Sequence, residues 1–148
     1  MDEFLHGQTK RLQDMNISFT IVPNKGNELE QQWEEAFTKD ISQSQKRKMA
    51  FKQCMWNVFS WEKIACLKEQ QAIKAFDLQK KAGCYLICTS SEEAILIPKA
   101  TRLKATDIIH IGSDLYIVDE HFTWTYVLTH EEDCGPYFYN PQDSLFFS

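Results

Sequence analysis

Residues 115–130, with the sequence LYIVDEHFTWTYVLTH, contain two β-prone segments separated by an acidic turn. Leu115–Val118 is apolar and aromatic, and Phe122–His130 alternates between large side chains and mainly threonine. This alternation is typical of a strand, because successive side chains point to opposite faces of a sheet. Since residues 119–121 have the composition of a turn, the stretch predicts two neighbouring antiparallel strands.

The large side chains of the second strand, which share one face, have two interpretations. They are Phe122, Trp124, Tyr126, Leu128 and His130. In the first interpretation they pack against helices, while the threonines face solvent or pair across strands. In the second they form an aromatic platform for a ligand, which requires Trp124 to be exposed.

Further strands are predicted on the N-terminal side of this pair, at residues 85–88, 94–97 and 108–111. Helical periodicity precedes them at 27–41, at 44–59 and from about residue 67 to a stop at Gly83, with Asn27 and Ser44 as candidate N-caps. Residues 1–26 suggest a short helix and an edge strand, Ile17–Val22, that ends at Pro23.

The chain of 148 residues therefore predicts one α+β domain. A helical half, 27–82, with about three helices, packs on a strand half, 83–140. The sheet is expected to be mostly antiparallel with four to six strands. Residues 1–26 form an N-terminal segment and 141–148 a tail.

Charge is distributed unevenly along the chain. Residues 105–148 contain eight acids and no lysine or arginine, whereas residues 39–104 have a local balance of +7. Such asymmetry favours a basic protein partner at the acidic end, although internal pairing of the two halves is the alternative. Nucleic acid is disfavoured as a partner because the sequence pI is about 5.4, although Lys46, Arg47, Lys48 and Lys52 form a basic stripe.

The sequence has no disulfide framework, metal-binding motif or membrane segment. Its five cysteines include no Cys-x-x-Cys pair, and no apolar run is long enough to cross a bilayer. The start, Met1-Asp2-Glu3, is acidic, unlike a secretory signal, so we expect a cytoplasmic protein.

Three segments resemble a family of small bacterial proteins catalogued as domain of unknown function 4275, found largely in Gram-positive spore formers. They are Trp56–Trp61, Cys66–Phe76 and, most specifically, Tyr116–Glu131 followed by Gly135-Pro-Tyr-Phe138. The likeness spans roughly residues 28–140. It implies a single compact bacterial cytosolic domain and assigns no catalytic or binding residue.

Catalytic chemistry has little support in the motifs. His110, His121 and His130 with Glu120, Glu131 and Asp133 offer metal donors, but without the spacing of a metal-binding motif. A Cys134–His130 nucleophile pair is disfavoured by the surrounding acids. No phosphate-binding or nucleotide-binding loop is present, so we predict neither a cofactor nor a metal site.

We therefore expect a non-enzymatic protein-binding module, comparable by analogy to an immunity protein or antitoxin that masks a basic toxin. The candidate partner-binding residues are Asp119, Glu120, Trp124, His130, Glu131, Glu132, Asp133 and Tyr137. One alternative is a small enzyme in which His130 and Glu131 carry protons in a pocket between helices and sheet. Another is self-association, as in a homodimer, in which the basic region of one copy contacts the acidic region of the other.

Overall fold

The computed structural model describes residues 3–23, 25–38, 41–42, 44, 56, 59, 65–89, 91–110, 113–131 and 134–141. Helices in these ranges are α1 (Glu3–Asp14), α2 (Gly26–Phe37) and α3 (Glu69–Leu78), with a 3-10 turn at Ala105–Asp107. The strands are β1 (Thr20–Val22), β2 (Leu67–Lys68), β3 (Cys84–Cys88), β4 (Ala94–Ile97), β5 (Leu115–Asp119), β6 (Thr125–Leu128) and β7 (Tyr137–Tyr139). None of these helices has the length and apolarity needed to span a membrane.

The strands form one antiparallel sheet of seven strands in the order β1-β4-β3-β5-β6-β7-β2. The predicted α+β class is confirmed, and the strand count is slightly higher than expected. Strand β2, which is two residues long and comes from the N-terminal half, was not expected. Strands this short carry almost no periodicity in the sequence.

Both faces of the sheet are covered, because alternate residues of the central strand β5 belong to different cores. Leu115 and Ile117 pack with residues of α1 and α3, whereas Tyr116 and Val118 pack with α2, Trp56 and Phe59. All five residues of β5 are buried. The threonine side of β6, which was predicted to face solvent or to pair across strands, therefore faces a second core, and Thr125 on it is fully buried.

Several predicted boundaries are confirmed and several are wrong. The β3–β4 and β5–β6 pairs form as predicted, and the edge strand β1 ends before Pro23. β6 begins at Thr125, because Phe122 has a positive φ of 57° and residues before Thr125 belong to the turn. α2 has Lys25, rather than Asn27, at its N-cap and ends at Phe37, where Thr38 caps a carbonyl oxygen of the last turn.

Two further predictions are wrong, the strand at 108–111 and the position at which the third helix ends. Ile108 and Ile109 are not in a strand, since their N–H groups donate to the carbonyl oxygen of Ala105 and the side chain of Gln8. α3 ends at Leu78, five residues before Gly83, because Gln79 is already extended. The predicted helix at 44–59 and the basic stripe in it lie largely outside the described residues, in which Trp56 and Phe59 are buried.

Candidate functional site

Acidic side chains from three chain segments lie at one end of the sheet, which we call the acidic end. They are Glu92 and Glu93 in the β3–β4 loop, Asp114 just before β5, and Glu131 after β6. The loop is tied to Asp114, because the backbone N–H and hydroxyl of Thr89 both donate to its carbonyl oxygen, at 3.0 and 3.3 Å. The hairpin register then brings the residues after β6 beside Asp114.

Asp114 holds His130 in place at this end. The buried carboxylate Oδ1 accepts the backbone N–H of His130 at 2.8 Å and lies 2.8 Å from its ring Nδ1. The side chain of Asp114 is 6% exposed and that of His130 is 42% exposed. A buried carboxylate thus fixes the orientation of a half-exposed imidazole.

Glu131 lies against the ring nitrogen of His130 that Asp114 does not contact. Its Oε1 lies 3.6 Å from His130 Nε2, and its Oε2 accepts the thiol of Cys134 at 3.4 Å. The hydroxyl of Thr129 lies within hydrogen-bond distance of the carbonyl oxygens of Glu131 and Cys134, which holds the ends of this loop together. The neighbour of the Cys134 thiol in this loop is therefore the carboxylate of Glu131.

The His130 ring packs against the side chain of Trp56, which in turn packs against Tyr137. Its imidazole meets the indole of Trp56 at a centroid distance of 5.8 Å and an angle of 71°, and Trp56 stacks on Tyr137 at 6.5 Å. Burial, followed by the neighbouring thiol of Cys134, raises the pKa of Tyr137. Tyr137 is therefore a neutral phenol near neutral pH.

Asp119 and Glu120, which the sequence grouped with Glu131, lie at the opposite end of the sheet. Asp119 is five residues along the chain from Asp114, about 17 Å at the usual rise per residue of a strand. Asp119 is buried, and its Oδ2 accepts the N–H of His121 and the hydroxyl of Thr123, so it stabilises the β5–β6 turn. The carboxyl group of Glu120 lies over Gly83 and 3.7 Å from the ring of His121.

The two aromatic candidates are core residues. Trp124 is 2% exposed and packs between Phe76 and Phe138, and Tyr137 is 4% exposed. Neither ring presents a surface to a partner, so the first interpretation of the aromatic strand is the one that the burial supports. Glu132 and Asp133 lie outside the described residues.

The histidines suggested as metal donors are dispersed. His110 Nε2 lies 2.8 Å from the carbonyl oxygen of Ser113, His121 is at the far turn, and His130 is at the acidic end. Within the described ranges, no group of three or more His, Cys, Asp or Glu side chains has the arrangement of a metal site.

The profile of one protein family, described as a domain of unknown function (DUF4275), matches residues 7–138. The chain belongs to this family. The match covers the sheet up to Phe138 and includes Asp114, His130 and Glu131, and it confirms the resemblance noted in the sequence. No curated protein and no solved structure matches the chain.

Sequence reasoning missed Asp114 and Trp56 as parts of this site in the DUF4275 protein. The hairpin prediction contained the signal for Asp114, because pairing Leu115 with Leu128 places the residue before β5 opposite the residues after β6. Trp56 carried no such signal, since its contact with His130 joins segments that are 74 residues apart in the chain.

Proposed function

We propose that this protein is a non-enzymatic binding module that docks a basic partner protein at its acidic end. The observation that carries the proposal is the convergence of Glu92, Glu93, Asp114 and Glu131 from three segments. Within the residues that the structure describes, the ion pairs that involve Asp114 and Glu131 are with His130.

Convergent charge of one sign acts mainly on the rate of encounter. Fields of this kind raise association rates by about 10- to 1000-fold at low ionic strength. Because Trp124 and Tyr137 are buried, the docking surface lacks the two aromatic anchors suggested by the sequence. The acidic end therefore recognises the partner chiefly through lysine and arginine side chains on the partner's surface. An immunity protein or antitoxin that binds a cationic toxin would use the same electrostatics, which is an analogy of physics alone.

Charge reversal tests this proposal with a matched control. The variant Glu92→Lys with Glu131→Lys reverses two exposed acids at the acidic end. The control, Asp14→Lys with Glu35→Lys, makes the same change in net charge on exposed positions of α1 and α2. The probe is an immobilised peptide of alternating lysine and glycine, measured by surface plasmon resonance.

We expect the first variant to lower the association rate constant about tenfold or more in about 0.01 M salt. The difference from wild type should largely disappear in about 1 M salt, where the Debye length falls to about 3 Å. Equal losses in the two variants would show that only net charge matters, and would contradict a specific docking end.

Proton transfer at His130 is a second candidate function. One observation favours it: Asp114 binds Nδ1 while Nε2 remains in a half-exposed side chain, which is the arrangement of an oriented general base. Hydrolysis of p-nitrophenyl acetate that is lost in His130→Gln and reduced in Asp114→Asn would support it. Equal rates for wild type and both variants would remove this candidate.

A further inference from the structure

Leu78, the last residue of α3, has an unusually exposed apolar side chain. It is 85% exposed, and no other large hydrophobic side chain of the described residues is exposed. A single exposed leucine is common on protein surfaces, so its meaning depends on the groups around it. Around Leu78 these groups are cations.

Two lysines place their ammonium groups on either side of Leu78. Lys104 Nζ donates to the carbonyl oxygen of Asp77 at 3.0 Å, and Lys81 Nζ donates to that of Gln79 at 3.2 Å. Asp77 and Gln79 are the residues before and after Leu78. Lys81 is buried, and burial, followed by the charge of Lys104, lowers its pKa. Of the two lysines, the exposed Lys104 is therefore the one that a partner can contact.

Four basic side chains are exposed on the segments that adjoin Leu78. They are Lys80, Lys99, Arg102 and Lys104. The two segments are joined because the N–H of Ala100 donates to the carbonyl oxygen of Ala82 at 2.7 Å. Among the described residues, none of the four cations has a carboxylate within ion-pair distance. We call Leu78 and these four residues the basic end.

The acids near the basic end already have partners within the chain. Asp77 and the buried Asp107 each accept a backbone N–H, at 2.8 and 2.9 Å. Asp119 is buried in the β5–β6 turn, and Glu120 lies beside the ring of His121. The exposed charge around Leu78 is therefore mainly positive.

The basic end lies opposite the acidic end of the sheet. The β3–β4 register pairs Cys84 with Ile97, so the segments that carry the basic end meet where β3 begins and β4 ends. Glu92 and Glu93 lie in the loop at the other end of the same two strands. Although the net charge of the chain is −5, an anionic surface would therefore attract one end of it.

We propose that the basic end binds the surface of a membrane that contains anionic phospholipids, with Leu78 inserted among the headgroups. Each lysine or arginine close to such a surface strengthens binding about fivefold. A leucine that leaves water for the boundary of the acyl chains adds about tenfold or more. Nucleic acid offers the same phosphates but no apolar layer for the leucine, so lipid is the better fit. Binding of this kind needs no spanning helix, and it leaves the acidic end facing away from the membrane.

Co-sedimentation with vesicles tests the proposal. One vesicle is phosphatidylcholine alone, and the other is equal parts of phosphatidylcholine and phosphatidylglycerol. The variants are Leu78→Ala, which removes the apolar contact, and Lys99→Gln with Arg102→Gln, which removes two cations. The control, Lys25→Gln with Lys68→Gln, makes the same change in net charge at exposed positions next to α2 and in β2. All of these positions are exposed, so each variant should retain the fold.

We expect wild type to sediment with the mixed vesicles and to stay in solution with phosphatidylcholine alone. Lys99→Gln with Arg102→Gln should weaken binding about 25-fold, and Leu78→Ala about tenfold. The control should change binding by no more than about twofold, because its charges lie farther than a Debye length from the membrane.

Three results would overturn the proposal. Binding that depends on the cations but is unchanged in Leu78→Ala, or that an oligothymidylate abolishes at equal phosphate concentration, would indicate a general polyanion surface. An equal loss in the control variant would show that only net charge matters. Absence of sedimentation with the mixed vesicles in about 0.01 M salt would exclude membrane binding. None of these results affects the docking of a basic partner, which is measured separately by peptide binding at the acidic end.

Discussion

Replacing Asp114 by alanine should destabilise the protein more than any other single change of an acid at the acidic end. The substitution removes the acceptor of two hydrogen bonds, from the N–H and ring Nδ1 of His130. A hydrogen bond to a charged group is worth about 1.5–3 kcal/mol, and the ring contributes nearer the surface value of about 0–1 kcal/mol because it is half-exposed. We therefore expect the free energy of unfolding to fall by about 1.5–4 kcal/mol.

Asparagine at the same position separates charge from geometry. Asp114→Asn keeps an oxygen acceptor in place and loses the negative charge, so a smaller loss of about 1–2 kcal/mol is expected. Urea unfolding, followed by circular dichroism, measures both variants. Glu92→Ala is the matched control, since this exposed acid lies in the adjoining loop and should change stability by no more than about 0.5 kcal/mol.

A double-mutant cycle with His130→Ala isolates the contribution of the ring. The coupling between Asp114 and the imidazole should be about 0.5–1 kcal/mol, with the rest of the loss retained in the His130→Ala background because the backbone N–H is still present there. A loss below about 0.5 kcal/mol for Asp114→Ala would refute the reasoning, as it would mean that the carboxylate does not hold the loop after β6.

Three further predictions concern the core, the turns and the thiols. Thr125→Val should lower the free energy of unfolding in urea by about 1–3 kcal/mol, because it leaves the buried indole N–H of Trp33 without its acceptor. Thr125→Ser keeps the hydroxyl and should cost less. Gly135→Ala should lower the melting temperature more than Gly83→Ala, since φ at Gly135 is +95° while the added methyl group at Gly83 meets only the end of a flexible carboxylate; equal shifts would contradict this. Cys84, whose pKa is raised to about 12 by burial, should react with iodoacetamide far more slowly than the partly exposed Cys134, and peptide mass spectrometry that finds equal labelling would show that the core opens readily.

The sequence predicted the centre of the fold well because strong local patterns coincide there with the tertiary arrangement. β3, β4 and β5 are apolar runs bounded by turn residues, and such runs form strands under most tertiary surroundings. The same local logic failed at Ile108, where an apolar run is held by a 3-10 turn and by Gln8 instead of a neighbouring strand. A glutamine that acts across the fold leaves no trace in local periodicity.

The site was predicted less completely, because the charge pattern along the chain does not distinguish the two ends of a strand. Asp119 and Glu131 are both acids near β6, yet one stabilises a turn at one end of the sheet and the other faces His130 at the opposite end. Pairing the strands in register would have separated them and brought Asp114 to His130. The burial of Trp124 required knowledge of α3, which packs Phe76 against it.

The length of the outermost strands has a consequence for how these molecules behave in concentrated solution. β1 and β2, at the two margins of the sheet, contribute only three and two residues. An edge strand this short offers another chain few backbone N–H and C=O groups with which to pair. Very short edge strands are one of the ways in which natural sheets avoid edge-to-edge aggregation. An insertion that lengthened either margin by a few β-branched residues would be expected to convert a self-limiting sheet into one that polymerises.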